Sequence, residues 1–484
     1  MRLQIAAALL LTLAIVPDST SQTPGPAHEA GKPAVSDENA YSPQLRSELV
    51  GLRDAALSDD YAYQQVAHLT ENIGPRASGS AQAGAAVQYV ADELRKLGLV
   101  VRLEEVRVPQ WMRDIETAEL VEYPGQALGT SQKIVLTALG GNTPTPRDGI
   151  TAEVVVVNSF DELTSLGREK VSGKIVLFNV VFDKQKAKNG MAGEAYGEAV
   201  AYRGGGAKAA AELGAVASLV RSVGNADYRL PHTGWNAAAG IPAGAVSSED
   251  ADLMARLAAQ GKIRIHLTMT SQTGPEVMSY NVVADLKGSE HPEQLVIVSG
   301  HLDSWDLGTG AIDDAAGIAV AMETAELIQR LHLHPRRTIR VVAWMDEENG
   351  GRGHDAYAKA HDAEFGNYAA AIESDLGASH PLGFRADINA KALPLLKPVQ
   401  DVLQTFGANV IHLTEESPGA DIEPLAKAGV PTLGILQDAR TYFSYHHTAA
   451  DTLDKIVPQE LRENAAALAV MGYALASLPE PLPR

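Results

Sequence analysis

Residues 294–303 read QLVIVSGHLD, and this stretch decides the fold. Its first half is a short apolar run rich in Val and Ile, which is typical of a buried strand. An apolar-periodic segment at 315–331 follows and predicts a long helix, which Pro335 separates from the next segment. Further strand-like runs lie at 338–345 and 369–372. This alternation predicts an α/β fold with a mixed, mainly parallel sheet sandwiched by helices.

Acids and a histidine follow these strands directly. His301 comes after the first strand, Glu347 and Glu348 after the second, and Asp375 after the third. Because the carboxyl ends of parallel strands meet at one edge of a sheet, we expect these side chains to lie close together. Two adjacent glutamates repel each other, but a metal that neutralises one of them leaves the other free as a general base.

Three further positions extend this candidate site. Asp313 follows a glycine-rich loop at the predicted start of the long helix, where it is either an N-cap or a carboxylate that bridges two cations. Asp303 is placed to accept a hydrogen bond from the second imidazole nitrogen of His301. His446 and His447 lie in a polar loop, and their spacing alone does not choose between them. Two imidazoles, three carboxylates and a spare glutamate are the ligand inventory of a two-zinc hydrolase.

Composition narrows the function classes. The chain has 484 residues, 45% of them hydrophobic, so it can bury sizeable cores. Its formal charge of −20 argues against nucleic-acid and anionic-membrane partners, which require basic surfaces. The absence of cysteine excludes thiolate zinc sites and a cysteine nucleophile. The sequence also has no His-Glu-x-x-His zinc motif and no Gly-x-Ser-x-Gly elbow, which disfavours single-zinc and serine mechanisms.

The N-terminus predicts export. A basic start at Arg2, an apolar stretch at 5–16 and small residues up to Ser21 are typical of a signal peptide over residues 1–21. The apolar stretch is too short to span a bilayer comfortably, so no membrane anchor is expected. The predicted location is therefore secreted or periplasmic, after cleavage. Residues 22–41 are rich in proline and polar residues and predict a flexible linker.

The remaining chain divides into three parts by its change of character. Residues 42–119 and 276–480 are predicted to form one catalytic domain, and residues 120–275 are predicted to form an inserted smaller α/β domain. The insert has strand-like runs of its own but no cluster of ligand-type residues. Within it, the run Arg203-Gly-Gly-Gly is expected to lead into a helix over 207–213.

Several motifs resemble those of the M28 family of co-catalytic zinc exopeptidases. The insert resembles the protease-associated domain found in several members of that family, notably at 171–176 and at Ile241-Pro242. The likeness extends over nearly the whole chain after the linker. The catalytic motifs that carry it are Gly300-His301-Leu302-Asp303-Ser304, Gly310-Ala311-Ile312-Asp313-Asp314, Glu347-Glu348, and His447-Thr448 with Asp451-Thr452.

The resemblance implies a role for each ligand-type residue. It implies two Zn²⁺ per chain, with Asp313 bridging them. His301 and Asp375 complete one metal, and Glu348 and His447 complete the other. The same resemblance makes Glu347 the base that activates water and Asp303 the residue that orients His301. Several relatives place a tyrosine before the last ligand to stabilise the oxyanion, and His446 occupies that position here, which makes it the candidate substrate-binding residue.

The expected function is hydrolysis of short peptides, dipeptides in particular, by a secreted metallo-exopeptidase. Two alternatives stay open at this point: a non-catalytic M28-like binding protein, and an aminopeptidase of the same family that acts on longer peptides. The sequence does not decide between amino- and carboxyl-terminal trimming, since Asp306, Asp421 and Arg352 are candidates for binding either terminus. The expected partner is the peptide substrate, with a homodimer left open.

Overall fold

The computed structural model describes residues 40–484, so the predicted signal peptide and most of the predicted linker lie outside it. The last two linker residues, Ala40 and Tyr41, are buried in the core. The strands are β1 (Val100–Val108), β2 (Trp111–Met112), β3 (Glu116–Glu122), β4 (Gln132–Ile134), β5 (Leu136–Ala138), β6 (Ile150–Val157), β7 (Ile175–Phe178), β8 (Ala217–Arg221), β9 (Ala243–Val246), β10 (Arg264–Met269), β11 (Gln272–Thr273), β12 (Val277–Leu286), β13 (His291–His301), β14 (Arg337–Trp344), β15 (Tyr368–Glu373), β16 (Pro381–Asp387), β17 (Val410–Leu413) and β18 (Thr432–Gln437). The α-helices are α1 (Pro43–Ala56), α2 (Tyr61–Ala67), α3 (Ala81–Lys96), α4 (Phe160–Val171), α5 (Lys184–Lys188), α6 (Ala192–Glu212), α7 (Ser248–Ala258), α8 (Ala316–Arg330), α9 (Arg352–His361), α10 (Leu393–Leu403), α11 (Glu423–Lys427) and α12 (Pro458–Ser477).

The first sheet contains the strands that the candidate ligands follow. Its order is β1-β12-β14-β13-β15-β18-β16-β17. The central strands β14, β13, β15 and β18 run parallel, and antiparallel pairs lie on either side of them. The predicted mixed, mainly parallel sheet is confirmed, and its parallel centre brings the ends of three ligand-bearing strands to one edge.

Both faces of this sheet are buried, which explains the continuous apolar run in β13. Val296 and Val298 face the large core beneath α1, α2, α3, α8 and α12. Leu295 and Ile297 face the opposite core, where α9 and α11 pack. A strand covered on both faces needs apolar residues at every position rather than at alternate ones.

The second sheet is formed within the segment predicted as an insert. Its order is β4-β3-β10-β6-β7-β8-β9-β5, and β6 to β9 run parallel. We call residues 116–269, from the start of β3 to the end of β10, the second-sheet segment. It has its own cores on its two faces. The exact boundaries of the inserted domain stay a prediction.

One helix of this segment differs from the sequence expectation. The glycine run Gly204–Gly206 does not precede a helix but lies inside α6, which begins at Ala192. The reason is packing: a Cβ on Gly206 would lie 2.8 Å from the Phe178 ring, so only glycine lets β7 and α6 approach this closely. This places Arg203 in the middle of α6, with its side chain buried.

The two sheets are joined through the loop that follows His301. Trp305 in that loop packs into a core of the second-sheet segment. A Cβ on Gly140 would lie 2.0 Å from the Trp305 ring, so the indole rests directly on the backbone there. Within residues 40–484, no helix is both long and apolar enough to span a membrane.

Candidate metal centre

Two sets of ligand-type side chains converge at the carboxyl edge of the first sheet. We call His301, Asp313 and Asp375 the first ligand set. The Nε2 atom of His301 lies 3.0 Å from Asp313 Oδ1 and 3.4 Å from Asp375 Oδ1. Three donor atoms this close together, two of them acidic oxygens, form a suitable cradle for a divalent cation.

Asp313, Glu348 and His447 form the second ligand set. His447 Nε2 lies 3.0 Å from Glu348 Oε2 and 3.2 Å from Asp313 Oδ2. Asp313 therefore belongs to both sets and directs one carboxylate oxygen toward each. All five residues that the sequence analysis assigned to metal are brought together.

The backbone around Asp313 explains how it reaches this position. Asp313 has non-helical dihedral angles and lies in the turn before α8, so it is not the N-cap of that helix. The turn is held by Asp451, whose Oδ1 accepts hydrogen bonds from the N–H groups of Ala311 and Ile312, both at 2.8 Å. Asp314 takes the capping role, since its carboxylate accepts from the N–H of Gly317.

The donor atoms are arranged for cations rather than for one another. Glu348 Oε1 and Asp313 Oδ2 are buried and make no well-aligned hydrogen bond. Burial and the neighbouring Asp313 raise the pKa of Glu348 to about 7. Burial lowers the pKa of His447, but Glu348 and Asp313 outweigh it and raise the pKa to about 9. Buried carboxylates with unused oxygens are costly unless a charge compensates them, so these residues fit metal ions.

Each ligand histidine is oriented by a backbone carbonyl. His301 Nδ1 lies 3.0 Å from the carbonyl oxygen of Asp303, and His447 Nδ1 lies 3.2 Å from that of Thr233. In the neutral imidazole, a protonated Nδ1 that donates to a carbonyl leaves Nε2 free to bind a metal, and the positive charge of a bound cation would favour that neutral form. The Thr233 carbonyl belongs to the second-sheet segment, so that segment contributes directly to the site.

The role expected of the Asp303 side chain differs from what the structure contains. The Asp303 carboxylate is 3.9 Å from His301 Nδ1, and it is the backbone carbonyl of Asp303 that accepts the hydrogen bond. Its Oδ1 instead accepts from the N–H groups of Asp346 and Glu347, at 2.8 and 3.2 Å. The side chain thus orients the backbone of the two-glutamate turn, because a buried carboxylate binds two N–H donors more strongly than one distant imidazole.

Glu347 lines the cavity beside both ligand sets but belongs to neither. Burial raises the pKa of its carboxyl group well above the usual value, and the charges of Asp375 and Glu348 raise it further. A carboxyl group with a raised pKa holds a transferred proton more firmly than an exposed glutamate does.

His446 stacks on His447 with ring centroids 3.6 Å apart, and its Nε2 lies 3.4 Å from Asp313 Oδ2. Its Nδ1 is 3.1 Å from Nε2 of a third buried histidine, His232, on the second-sheet segment. The Nδ1 atom of His232 is buried without a partner. A buried N–H without an acceptor costs more than an unused acceptor, so His232 carries its proton on Nε2. His232 then donates to His446, which directs its own Nε2–H toward the site.

The residues that the second-sheet segment contributes were not predicted from the sequence. No cluster of ligand-type residues is recognisable in its sequence, yet one ring nitrogen each of His232, His446 and His447 lies within 4.8 Å of the other two. Arg203 and Trp235 of the same segment line the site cavity. The available signal was the run His232-Thr-Gly-Trp235, which combines an imidazole with an indole in the loop between β8 and β9.

The residues considered for binding a substrate terminus are engaged elsewhere. Asp306 pairs with Arg113 at 2.7 Å. Asp421 is buried and pairs with the imidazole of His354 at 3.0 Å. Arg352 pairs with Glu276 at 2.6 Å near the surface.

The cavity over the ligand sets measures about 420 Å³. Four carboxylates line it, those of Asp313, Glu347, Glu348 and Asp375. The other residues around it are aromatic or cationic for the most part: Tyr196, Arg203, Trp235, Tyr442, Phe443, His446 and His447. Ligand cavities of a few hundred Å³ accept small molecules, and this one has the size for a short peptide.

A parallel-centred sheet with two ligand sets at its carboxyl edge, joined by one aspartate, is the arrangement expected of a metallo-exopeptidase with two metal ions. The sequence pattern of peptidase family M28 matches residues 281–471 of this chain. Human carboxypeptidase Q is 38% identical over 456 residues, which cover 93% of this chain and 92% of that protein. The chain belongs to peptidase family M28, and the resemblance inferred from its motifs is confirmed.

Solved structures agree with this assignment. A peptidase M28 precursor from Shewanella amazonensis superposes with a TM-score of 0.85 at 36% identity, covering 91% of this chain and 98% of that one. A zinc aminopeptidase from Bacillus subtilis shares the fold, with a TM-score of 0.62 at 20% identity, covering 88% of this chain and 98% of that one. This chain is thus similar in sequence to a carboxypeptidase and in fold to an aminopeptidase.

Proposed function

We propose that this protein is a two-zinc exopeptidase that hydrolyses short peptides, dipeptides in particular. The observation that carries the proposal is the position of Asp313, whose Oδ1 faces His301 and whose Oδ2 faces His447. A carboxylate shared in this way would serve as a ligand to both cations. His301, Asp313 and Asp375 would hold one Zn²⁺, and Asp313, Glu348 and His447 the other.

When bound, zinc polarises the scissile carbonyl and lowers the pKa of water. Glu347 supplies the proton transfer. Its carboxylate takes a proton from the attacking water and passes it to the nitrogen of the leaving amine. Neither ligand set needs Glu347, and its raised pKa keeps the proton on the carboxyl group until the amine takes it.

His446 provides a hydrogen-bond donor for the charge that develops on the carbonyl oxygen. The chain of contacts from His232 to His446 supports this role, because it leaves Nε2–H of His446 directed toward the ligand sets. A donor fixed before the reaction stabilises developing charge without reorganising. This would replace the tyrosine hydroxyl used by several relatives.

A restricted cavity supports short substrates. Its volume of about 420 Å³ and its wall of residues from the second-sheet segment leave room for a dipeptide-sized ligand. The name of the human relative, carboxypeptidase Q, favours cleavage at the carboxyl end of the peptide. We further propose that the protein is exported to the periplasm or the medium after removal of residues 1–21. Self-association as a homodimer stays a prediction.

The test combines metal analysis with a dipeptide panel. We expect two zinc ions per purified chain, loss of activity in strong chelator, and recovery when zinc is added back. The panel should include dipeptides with free termini, dipeptides with each terminus blocked, and a pentapeptide. Full activity in chelator with no bound metal would overturn the proposal. Two bound zinc ions with no turnover of any peptide would instead favour the non-catalytic alternative.

A further inference from the structure

Arg113 joins the loop that follows His301 to the second-sheet segment. It lies between β2 and β3, and its side chain is 13% exposed. Its Nε lies 3.1 and 3.0 Å from the two carboxylate oxygens of Asp306, and its Nη2 donates to Asp306 Oδ1 at 2.7 Å. A guanidinium that binds a carboxylate through two of its nitrogens fixes the orientation of both groups. Arg113 thus fixes the position of Asp306 within the His301 loop.

The same guanidinium also binds the second-sheet segment. Its Nη1 donates to Glu116 Oε1 at 2.6 Å and to the carbonyl of Ala138 at 2.9 Å. Its Nη2 donates to the Thr233 hydroxyl at 3.3 Å, and that hydroxyl donates to the carbonyl of Ala138 at 2.9 Å. One planar cation therefore holds three residues of the second-sheet segment against the His301 loop.

Thr233 in turn makes two contacts with His447, a member of the second ligand set. Its N–H donates to the His447 carbonyl at 2.9 Å, and its own carbonyl lies 3.2 Å from His447 Nδ1. His447 has a φ of 59°, in the left-handed region that is unfavourable for residues other than glycine. Such a conformation persists only where the surrounding structure holds it. The position of Thr233 therefore fixes both the backbone and the imidazole of His447.

A second route connects Arg113 with His447 through aromatic rings. The guanidinium carbon of Arg113 lies 4.9 Å from the centroid of the Trp111 ring. Trp111 packs edge-on against Trp305 with ring centroids 6.4 Å apart, and Trp305 packs edge-on against His447 with centroids 5.8 Å apart. Both groups that contact His447, the Thr233 backbone and the Trp305 ring, are thus held in place by the surroundings of Arg113.

We propose that Arg113 is a positioning residue for the second ligand set, where it holds His447 in its ligand orientation through Thr233 and Trp305. This inference rests on the proposed function, because it concerns the zinc ion that the proposal assigns to that set. Replacing a buried ion pair with apolar residues often leaves stability unchanged, since desolvation offsets the Coulomb attraction. The contribution of Arg113 is therefore to the geometry of the groups that it joins. Removing a group that orients a metal ligand typically costs about 10–100-fold in metal affinity.

The first ligand set has an anchor of its own, so it depends less on Arg113. The buried guanidinium of Arg76 donates to the carbonyls of Leu302 and Gly310, both at 2.8 Å. These bonds hold the His301 loop at its two ends without any residue of the second-sheet segment. A change at Arg113 should therefore weaken one zinc ion and not both.

The experiment compares Arg113→Lys with wild type in the full-length, zinc-loaded protein. Lysine keeps a positive charge between Asp306 and Glu116, but a single ammonium group cannot bind Asp306 and Thr233 together. Competition with a chelator should show one of the two zinc ions held about 10–100-fold more weakly, and the other within about threefold of wild type. Activity should fall at zinc concentrations that saturate wild type and recover when zinc is raised, with KM nearly unchanged.

Two further variants separate positioning from general stability. Thr233→Val removes the hydroxyl that Arg113 holds and should weaken the same zinc ion to a smaller extent; it decides the question alone if Arg113→Lys does not fold. Arg221→Met is the matched control, because Arg221 is a buried arginine of the same segment. Its partners are Asn179 and Asp252, which belong to neither ligand set, so both zinc affinities should match wild type.

The Glu348→Gln background identifies the zinc ion concerned. That substitution removes a ligand of the second set, so adding Arg113→Lys should not change the affinity for the ion that remains. Unchanged affinity for both zinc ions in Arg113→Lys and Thr233→Val, or equal weakening of both ions, would overturn the inference. Two tightly bound zinc ions in wild type without turnover of any peptide would instead contradict the proposed reaction, and weakening of one ion in Arg113→Lys would still support the positioning role.

Discussion

The two ligand sets share Asp313 but differ in what supports them. In the first set, His301 is oriented by the carbonyl of Asp303, two residues along its own loop. In the second set, His447 is oriented by the carbonyl of Thr233, which is 214 positions away on the second-sheet segment. His446, the neighbour of His447, depends on His232 of that same segment.

This difference assigns the second-sheet segment a larger role than covering the site. The first set is complete within the first sheet and its loops. The second set, together with the donor at His446 and the cation at Arg203, needs residues from both sheets. The orientation of the second ligand set therefore depends on the second-sheet segment.

The largest effect is expected from a variant that stops catalysis while metal ions stay bound to both ligand sets. Glu347→Gln should lower kcat by about 10²–10⁴-fold, because it removes the proton acceptor. Zinc content should stay at two per chain, as neither set includes Glu347. Glu348→Gln is the matched control and should lose one zinc. The reverse pattern of metal loss would exchange the roles of the two glutamates.

A smaller effect tests how the first set is oriented. Asp303→Ala should lower kcat by about 100-fold, since the buried N–H groups of Asp346 and Glu347 lose their acceptor. Zinc affinity should change little, because the Asp303 carbonyl that orients His301 remains. Asp303→Asn keeps an oxygen in place and should lose less activity. Zinc affinity is measured by competition with a chelator. Loss of zinc from Asp303→Ala would show that the carboxylate of Asp303, and not its carbonyl, orients His301.

The dependence of the second set on the second-sheet segment can be tested through His232. His232→Phe keeps the ring and removes one neutral hydrogen bond, so kcat should fall by about tenfold with KM nearly unchanged. His232→Gln, which retains an N–H donor, should recover most of this loss. Zinc should remain at two per chain in both variants. If His232→Phe releases a zinc ion, then His232 is a ligand and not a positioning residue.

The smallest effect on activity is expected at a buried acid that belongs to neither ligand set. It serves as a reference for a pH effect on stability alone. Burial raises the pKa of Glu323 in α8 from 4.5 to about 8. The folded state thus favours the protonated form, and wild type loses stability as the pH rises from about 4.5 to about 8. Glu323→Gln should therefore raise Tm by a few degrees at pH 9 and leave it unchanged at pH 5. Its kcat should match wild type at every pH, and a changed pH–rate profile would contradict the separation of this acid from the site.

Much of the first sheet and its ligands could be predicted from the sequence. The strand predicted at 338–345 is observed as β14 (Arg337–Trp344), and the helix predicted at 315–331 is α8 (Ala316–Arg330). These elements are buried on nearly all sides, so their apolar pattern is strong. The sheet fixes the position of ligands that directly follow such strands.

The contributions of the second-sheet segment could not be predicted in the same way. His232 and Arg203 reach the site through a contact between the two sheets. Periodicity in the sequence predicts helices and strands but not which loops of different sheets are in contact. The orientation of His301 was misassigned for a related reason. Sequence spacing placed Asp303 near the imidazole, but only the structure distinguishes its carbonyl from its carboxylate, whose two backbone donors direct it elsewhere.

Arg76 connects parts of the chain that are synthesised at very different times. Its buried guanidinium donates to the carbonyls of Leu302, Thr309 and Gly310, more than 200 positions later. The last ligand, His447, follows after most of the polypeptide has been made. Long-range contacts of this kind form late in folding. A nascent chain therefore cannot complete the second ligand set until His447 has been synthesised.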